Sequence, residues 1–345
     1  MKAARITGPA TIGIIESAPP APRDEEVLVE PVFVGLCGSD LSYFRKGANG
    51  SFVIREPLTI GHEIVGRVVS AGKDSYGDYR AGDRVAVHPV WPTPLPGGSE
   101  VPEYLVAEKP HFLGSASTTP HTQGGLVELL AVRGERLRRI PDRLPLERAA
   151  LAEPLSVVLH ALDRHTGGFD GARVLVCGAG PIGLLAAVAL KHGGAARVGM
   201  TDLHTRPLEV ARAVGADVVY RVGDEGNSVP EAQFDIAIEA TGAPASLDAS
   251  LRALRPGGVL IQLGMLAAGG ITADLAQVVV KELTVLGTHR FLGELDAAIA
   301  LLADAPECDA IVTHVVALDQ IEDALALAGD GATSSKVLVS IAAVS

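Results

Sequence analysis

The sequence predicts an α/β chain in two parts, a β-rich domain followed by a doubly wound parallel sheet. Three observations predict it. Residues 1 to about 150 carry short Val-rich runs set between Gly and Pro; a Gly-rich turn joins a short apolar run to an apolar helical stretch at 173–192; and that strand–turn–helix order then repeats. β-Branched runs bounded by turn formers read as strands. Strands alternating with helices imply parallel pairing through crossovers.

In order, strands are expected at 26–30, 64–69 and 83–87, each near Gly or Pro, as in a compact β domain. The texture changes near 170. Residues 173–177 read as a buried strand, and the apolar run from Pro181 to His192 as a helix. Strands follow at 197–201, 234–239, 258–263 and 283–287, with helices ending near Gly215 and over 244–254. The tail reads as helix, turn, helix and a last strand at 336–341, expected to return to the first domain.

With 345 residues, 48% of them hydrophobic, and a mean hydropathy of +0.29, the chain can bury large cores and suits two domains. The net charge of −12, without a Lys/Arg cluster, argues against nucleic acid or an anionic membrane as partner. Met1-Lys2-Ala3-Ala4-Arg5-Ile6 lacks an apolar leader, and no apolar run approaches a membrane span, so a cytoplasmic location is expected. Cys37, Cys177 and Cys308 are too far apart in sequence for a disulfide framework, which agrees with a reducing compartment. Cys177 and Cys308 are assigned no chemistry.

Chemistry concentrates at two places. Cys37, His62 and Glu63 offer thiolate, imidazole and carboxylate, the donors of a zinc site whose fourth position stays open. Glu153 is either a further ligand or a residue holding water beside the metal. Ser39 can carry away a hydroxyl proton, and Asp40 can orient His62. The second place is Gly178-Ala179-Gly180-Pro181-Ile182-Gly183, which follows a strand and opens a helix. Such a turn lets the backbone approach a pyrophosphate at the helix N-terminus, and Pro181 suits a first turn that needs no N–H. Asp202 ends the next strand, where a carboxylate accepts the ribose hydroxyls and repels a 2′-phosphate, favouring NAD over NADP. His204 and Arg206 temper that preference, since either can accommodate a phosphate. Zinc and a dinucleotide together suggest hydride transfer from an alcohol.

With Ala81-Gly82-Asp83-Arg84-Val85 and Glu153-Pro154-Leu155-Ser156 added, these motifs stand in the order and spacing of the zinc-dependent medium-chain dehydrogenases, which the whole chain resembles. The resemblance implies a GroES-like catalytic domain (1–153 and 289–345), a Rossmann NAD-binding domain (154–288), a cleft at their junction, and assembly as a homo-oligomer, a dimer or tetramer. Glu63 and Glu153 make the chain similar to the polyol branch, which includes sorbitol and L-idonate dehydrogenases. Residues 42–54, 112–125 and Thr288-His289-Arg290-Phe291 resemble the L-idonate members more closely. That implies oxidation of L-idonate to 5-keto-D-gluconate, with Tyr43, Phe112 and Leu113 lining the substrate pocket. Arg290 would reach substrate or cofactor, or form a salt bridge. Cofactor roles carry over to Thr241, Leu263 and Met265. Sorbitol-, xylitol- or cyclitol-type alcohols are the alternative substrates, and a zinc-free nucleotide-binding relative is the alternative of another class.

One departure is clear. Where many members carry a four-cysteine zinc lobe, Thr93, Pro96, Ser99 and Ala107 stand here, so one catalytic zinc and no structural zinc are expected. Pro92, Pro94, Pro96 and Pro102 would stiffen that loop, with Trp91, Tyr104 and Leu105 as apolar anchors, giving a rigid or partner-docked segment.

Overall fold

The computed structural model describes residues 1–91, 111–267 and 269–341; the expectations for the lobe between 92 and 110 lie outside the described residues. Strand Glu26–Gly35 organises the N-terminal half. It pairs antiparallel with Glu63–Ala71 and, along its other edge, with Leu130–Arg133 and Lys336–Ser340. Arg84–Val87 and Leu137–Arg139 extend the sheet one way and Val312–Ala317 the other, making seven strands. The tail thus supplies two strands to the first half. Pro31 has no N–H for the ladder, and the register shifts between Pro31 and Phe33. Gly66 faces this irregularity, where a Cβ would lie 2.3 Å from the Glu30 carbonyl oxygen.

The second sheet runs Val218–Arg221, Arg197–Asp202, Arg173–Cys177, Phe234–Glu239, Leu254–Gln262, Thr284–Gly287, every neighbouring pair parallel. The chain winds outward from Arg173–Cys177 on one side and then resumes on the other. That reversal opens a crevice at the carboxyl ends of the central strands, where ligands of such sheets bind. No described helix is long and apolar enough to cross a membrane.

Helix Ala152–Asp163 joins the halves. Its Leu155, Val158 and Leu162 share one core with Phe33 and Val65 of the first sheet, Leu184 of the second half, and Leu295 and Ile299 of helix Leu295–Asp304. Residues 318–339 instead place Leu318, Ile321, Leu325, Val337 and Val339 in the N-terminal core. Polar ties cross the same junction: Arg148 clasps Asp309 through two 2.7 Å bonds, and His160 Nδ1 lies 2.7 Å from Glu294 Oε1.

His88 is a further tie. Its Nδ1 accepts from the Val90 N–H at 3.2 Å, so the proton sits on Nε2 and is donated to the Leu292 carbonyl at 2.9 Å. Burial lowers its pKa to about 4, with Arg136 and Arg138 adding to the fall. An unfolded chain takes up this proton near pH 6.5, before the folded one does. Stability is therefore expected to fall as pH drops from about 6.5 towards about 4. Urea titrations of the wild type and His88→Gln across that window test this: an unchanged acid slope in the variant would show that His88 is not the cause.

Candidate active site

Gly35 and Glu63 are partners across the ladder, so Cys37, just past one strand, and His62, just before the other, meet at one end of the sheet. Gly35 is required there, because a Cβ would fall 1.9 Å from Glu63 Oε2. Cys37 is the N-cap of helix Gly38–Lys46, which ends on Gly47 in the left-handed conformation. Sulfur of Cys37, a ring nitrogen of His62 and a carboxylate oxygen of Glu63 all lie within 4.8 Å of one another. This donor set suits zinc, and Cys37, only half-buried, leaves the group accessible on one side.

Asp40 is fully buried and holds both ligand-bearing segments by their backbones. Its carboxylate accepts from the Cys37 N–H at 2.9 Å and the Gly61 N–H at 3.1 Å. The His62 ring is 3.7 Å away, too far for a hydrogen bond, so Asp40 acts on the imidazole as a charge. Burial opposes a charged His62, yet Asp40 and Cys37 outweigh it and raise the imidazole to about 10. The ring must shed that proton to take a metal. Glu153, in the first turn of Ala152–Asp163, is outside the three-donor group. Burial raises its carboxyl to about 7; Glu63 adds to the rise, while His62 and Lys336 oppose it.

Lys336 was not singled out by any sequence motif. Its ammonium donates to Glu63 Oε1 at 2.7 Å and Oε2 at 2.6 Å. The third bond goes to the Leu36 carbonyl at 3.0 Å.

Of the residues expected around the substrate, Phe112 stands beside a donor and Arg290 lies over Phe112. The Phe112 ring meets His62 edge-on at 5.1 Å, and the Arg290 guanidinium lies 4.7 Å over Phe112. Arg290 reaches this position with a left-handed backbone, φ 59°, a strain that functional sites often carry. Ser39 is half-buried in the first turn of helix Gly38–Lys46. Tyr43 and Leu113 differ from expectation. Tyr43 is 2% exposed, its hydroxyl accepts from the Ala116 N–H and bonds Ser115, both at 3.1 Å, and both residues pack in the N-terminal core. Neither offers a free polar group to a substrate.

At the crevice, Gly180 caps helix Pro181–His192, and Pro181 fills its first turn, with Ile182 half-buried behind it. Gly183 permits close packing, since a Cβ would lie 1.9 Å from the Gly178 carbonyl oxygen. A cavity of about 670 Å³ is lined by Gly178, Asp202, Tyr220, Arg221 and Thr241 among others. Asp202 accepts from the Ala179 and His204 N–H groups at 2.9 Å each, which fixes the glycine turn to the neighbouring strand. Arg206 departs from expectation: it pairs with Glu209 at 3.1 Å and lines a separate groove with Ala213 and Thr313. Its short helix turns it off the cavity. Leu263 is half-buried, whereas Met265 is 78% exposed at the rim.

Glu239 binds the two cofactor-side turns together. It accepts from the Thr241 N–H at 2.9 Å, the Thr241 hydroxyl, the Gly242 N–H at 3.0 Å and Gln262 Nε2 at 2.6 Å. Gly264 must lack a side chain, as a Cβ would sit 2.2 Å from the Gly242 nitrogen.

A dinucleotide crevice and a Cys–His–Glu donor group on one chain define an alcohol dehydrogenase of the metal-site type. Residues 23–142 match the alcohol dehydrogenase GroES-like domain, and residues 146–341 match the glucose dehydrogenase C-terminus. The chain belongs to the zinc-dependent medium-chain dehydrogenase family, in its polyol dehydrogenase branch. Human sorbitol dehydrogenase is 33% identical over 328 residues, 92% of this chain and 90% of that protein. L-idonate 5-dehydrogenase of Escherichia coli K-12 superposes with a TM-score of 0.89 at 28% identity, covering 99% of this chain and 98% of the other. The 2R,3R-butanediol dehydrogenase of Bacillus subtilis gives 0.85 at 28% identity, covering 99% of both.

Proposed function

We propose that the chain oxidises a secondary alcohol of a sugar acid or polyol with NAD and one zinc, L-idonate to 5-keto-D-gluconate being the favoured reaction. The observation that carries this reading is the Arg290 guanidinium, 4.7 Å over the Phe112 ring that itself meets His62 edge-on. Arginine offers a substrate carboxylate two parallel bonds, which a neutral polyol cannot use as fully. Similarity to L-idonate 5-dehydrogenase supports the acid substrate; the higher identity to sorbitol dehydrogenase favours a neutral polyol as the second reading.

Zinc held by Cys37, His62 and Glu63 would supply a Lewis acid for the alcohol, and NAD in the crevice a hydride acceptor. Around them the side chains bind, orient and move protons. Ser39 takes the hydroxyl proton, Glu153 holds or releases one at a carboxyl raised to about 7, and Phe112 keeps water off one side of His62. NAD is favoured because Asp202, Asp224, Glu225 and Glu231 line the cavity against Arg221 and Arg252, an acidic balance that repels a 2′-phosphate.

A panel of L-idonate, D-sorbitol and xylitol with NAD and NADP, read by cofactor absorbance alongside zinc content, tests the proposal. L-idonate with NAD is expected to give the highest kcat/KM and zinc near one per chain. Good sorbitol turnover without L-idonate turnover would move the substrate to the second reading. Zinc far below one per chain, with activity untouched by chelation, would remove the metal mechanism.

A further inference from the structure

We propose that Lys336 sets how Glu63 meets the metal: its ammonium confines Glu63 to one-oxygen ligation and weakens zinc binding at the Cys37–His62–Glu63 centre. The inference rests on that centre taking zinc. Lys336 is 2% exposed and Glu63 1%, and the ammonium has three hydrogens for three acceptors: both Glu63 oxygens and the Leu36 carbonyl. Its position is set by the sheet, since Leu338 pairs with Gly35 and the Leu36 N–H donates to the Val337 carbonyl at 3.0 Å. A lysine across both oxygens fills the face by which a carboxylate chelates. Each oxygen keeps only its outward lone pair, and the two point apart, so a metal is met by one oxygen and a coordination position stays open for substrate.

Two effects of the lysine oppose each other. By orienting Glu63 it favours metal binding, as partners of ligating groups usually do. As a buried cation close to a dication it disfavours binding, with little screening by solvent or salt. The second effect is the larger here. The Glu63 carboxylate is also held by packing over Gly35, where a Cβ would fall 1.9 Å from Oε2, so orientation has a second source, whereas nothing else in the contact replaces the charge.

Chelator competition on the zinc-loaded wild type, Lys336→Met and Lys336→Arg tests this. Lys336→Met is expected to hold zinc about tenfold more tightly, because a buried like charge is removed, while Lys336→Arg, which keeps the charge, stays near the wild type. A folded Lys336→Met that binds zinc as well as or less well than the wild type overturns the proposal, because a purely structural lysine would loosen the metal when lost. Should Lys336→Met not fold, the cobalt-loaded wild type decides: strong four-coordinate absorption bands are expected, and the weak bands of a five-coordinate ion, as two-oxygen ligation by Glu63 gives, overturn it. A wild type that takes up neither metal defeats the zinc reading itself.

Discussion

Cys37→Ser is expected to lower kcat/KM by about 10³-fold or more and to strip the chain of zinc. A Lewis acid at the reacting oxygen contributes several kcal/mol to the barrier, and each 1.36 kcal/mol is tenfold in rate. Serine offers a neutral hydroxyl in place of a thiolate, so the donor set loses the charge that balances the dication. The other two cysteines serve as internal controls. Burial raises the Cys177 thiol and pushes Cys308 up to about 12, which leaves both unreactive. Elemental analysis and turnover should therefore separate Cys37→Ser from Cys177→Ser and Cys308→Ser. Zinc at one per chain with near-normal turnover in Cys37→Ser would sink the metal assignment.

Asp40→Ala should damage the protein even before metal is considered. Two buried N–H groups, of Cys37 and Gly61, lose their acceptor, and a buried unsatisfied donor costs about 1–3 kcal/mol. Part of this is offset because burial already raises the Asp40 carboxyl, a desolvation cost that vanishes with the side chain. The expected net loss is about 2–4 kcal/mol, read from urea unfolding of the zinc-free protein so that metal does not contribute. Asp40→Asn keeps one acceptor and should lie between. A loss below about 1 kcal/mol in Asp40→Ala would show that Cys37 and His62 are positioned by the ladder without Asp40.

Much of the frame was legible because its signals are local. Gly180 and Pro181 announce the helix Pro181–His192 with its observed bounds, and alternating strands and helices announce the parallel sheet. Where breaking residues sit inside a strand, the reading stopped short. Strand Glu26–Gly35 continues through Pro31 by shifting register, and Leu254–Gln262 starts ahead of Pro256 and Gly257, so turn chemistry hid strand there. The candidate metal donors stand out as residue types at familiar spacing. Their support does not. Lys336 reaches Glu63 across 273 positions and looks in sequence like the first residue of an ordinary strand. Tyr43 shows the converse, since the likeness of its segment to the L-idonate members suggested a pocket wall, and only the packing of helix Gly38–Lys46 reveals that it sits in the core.

The far origin of Lys336 bears on when metal enters during biosynthesis. Cys37, His62 and Glu63 leave the ribosome early and within a short span, while their lysine counter-charge follows some 270 residues later. At synthesis rates of about 5–20 residues per second the three donors spend roughly 15–50 seconds without it. Throughout that interval the nascent chain presents a carboxylate able to chelate with both oxygens. Closure of strand Lys336–Ser340 onto Glu26–Gly35 then brings the ammonium to Glu63, so the proposed control of metal affinity sets in only after that last strand is made.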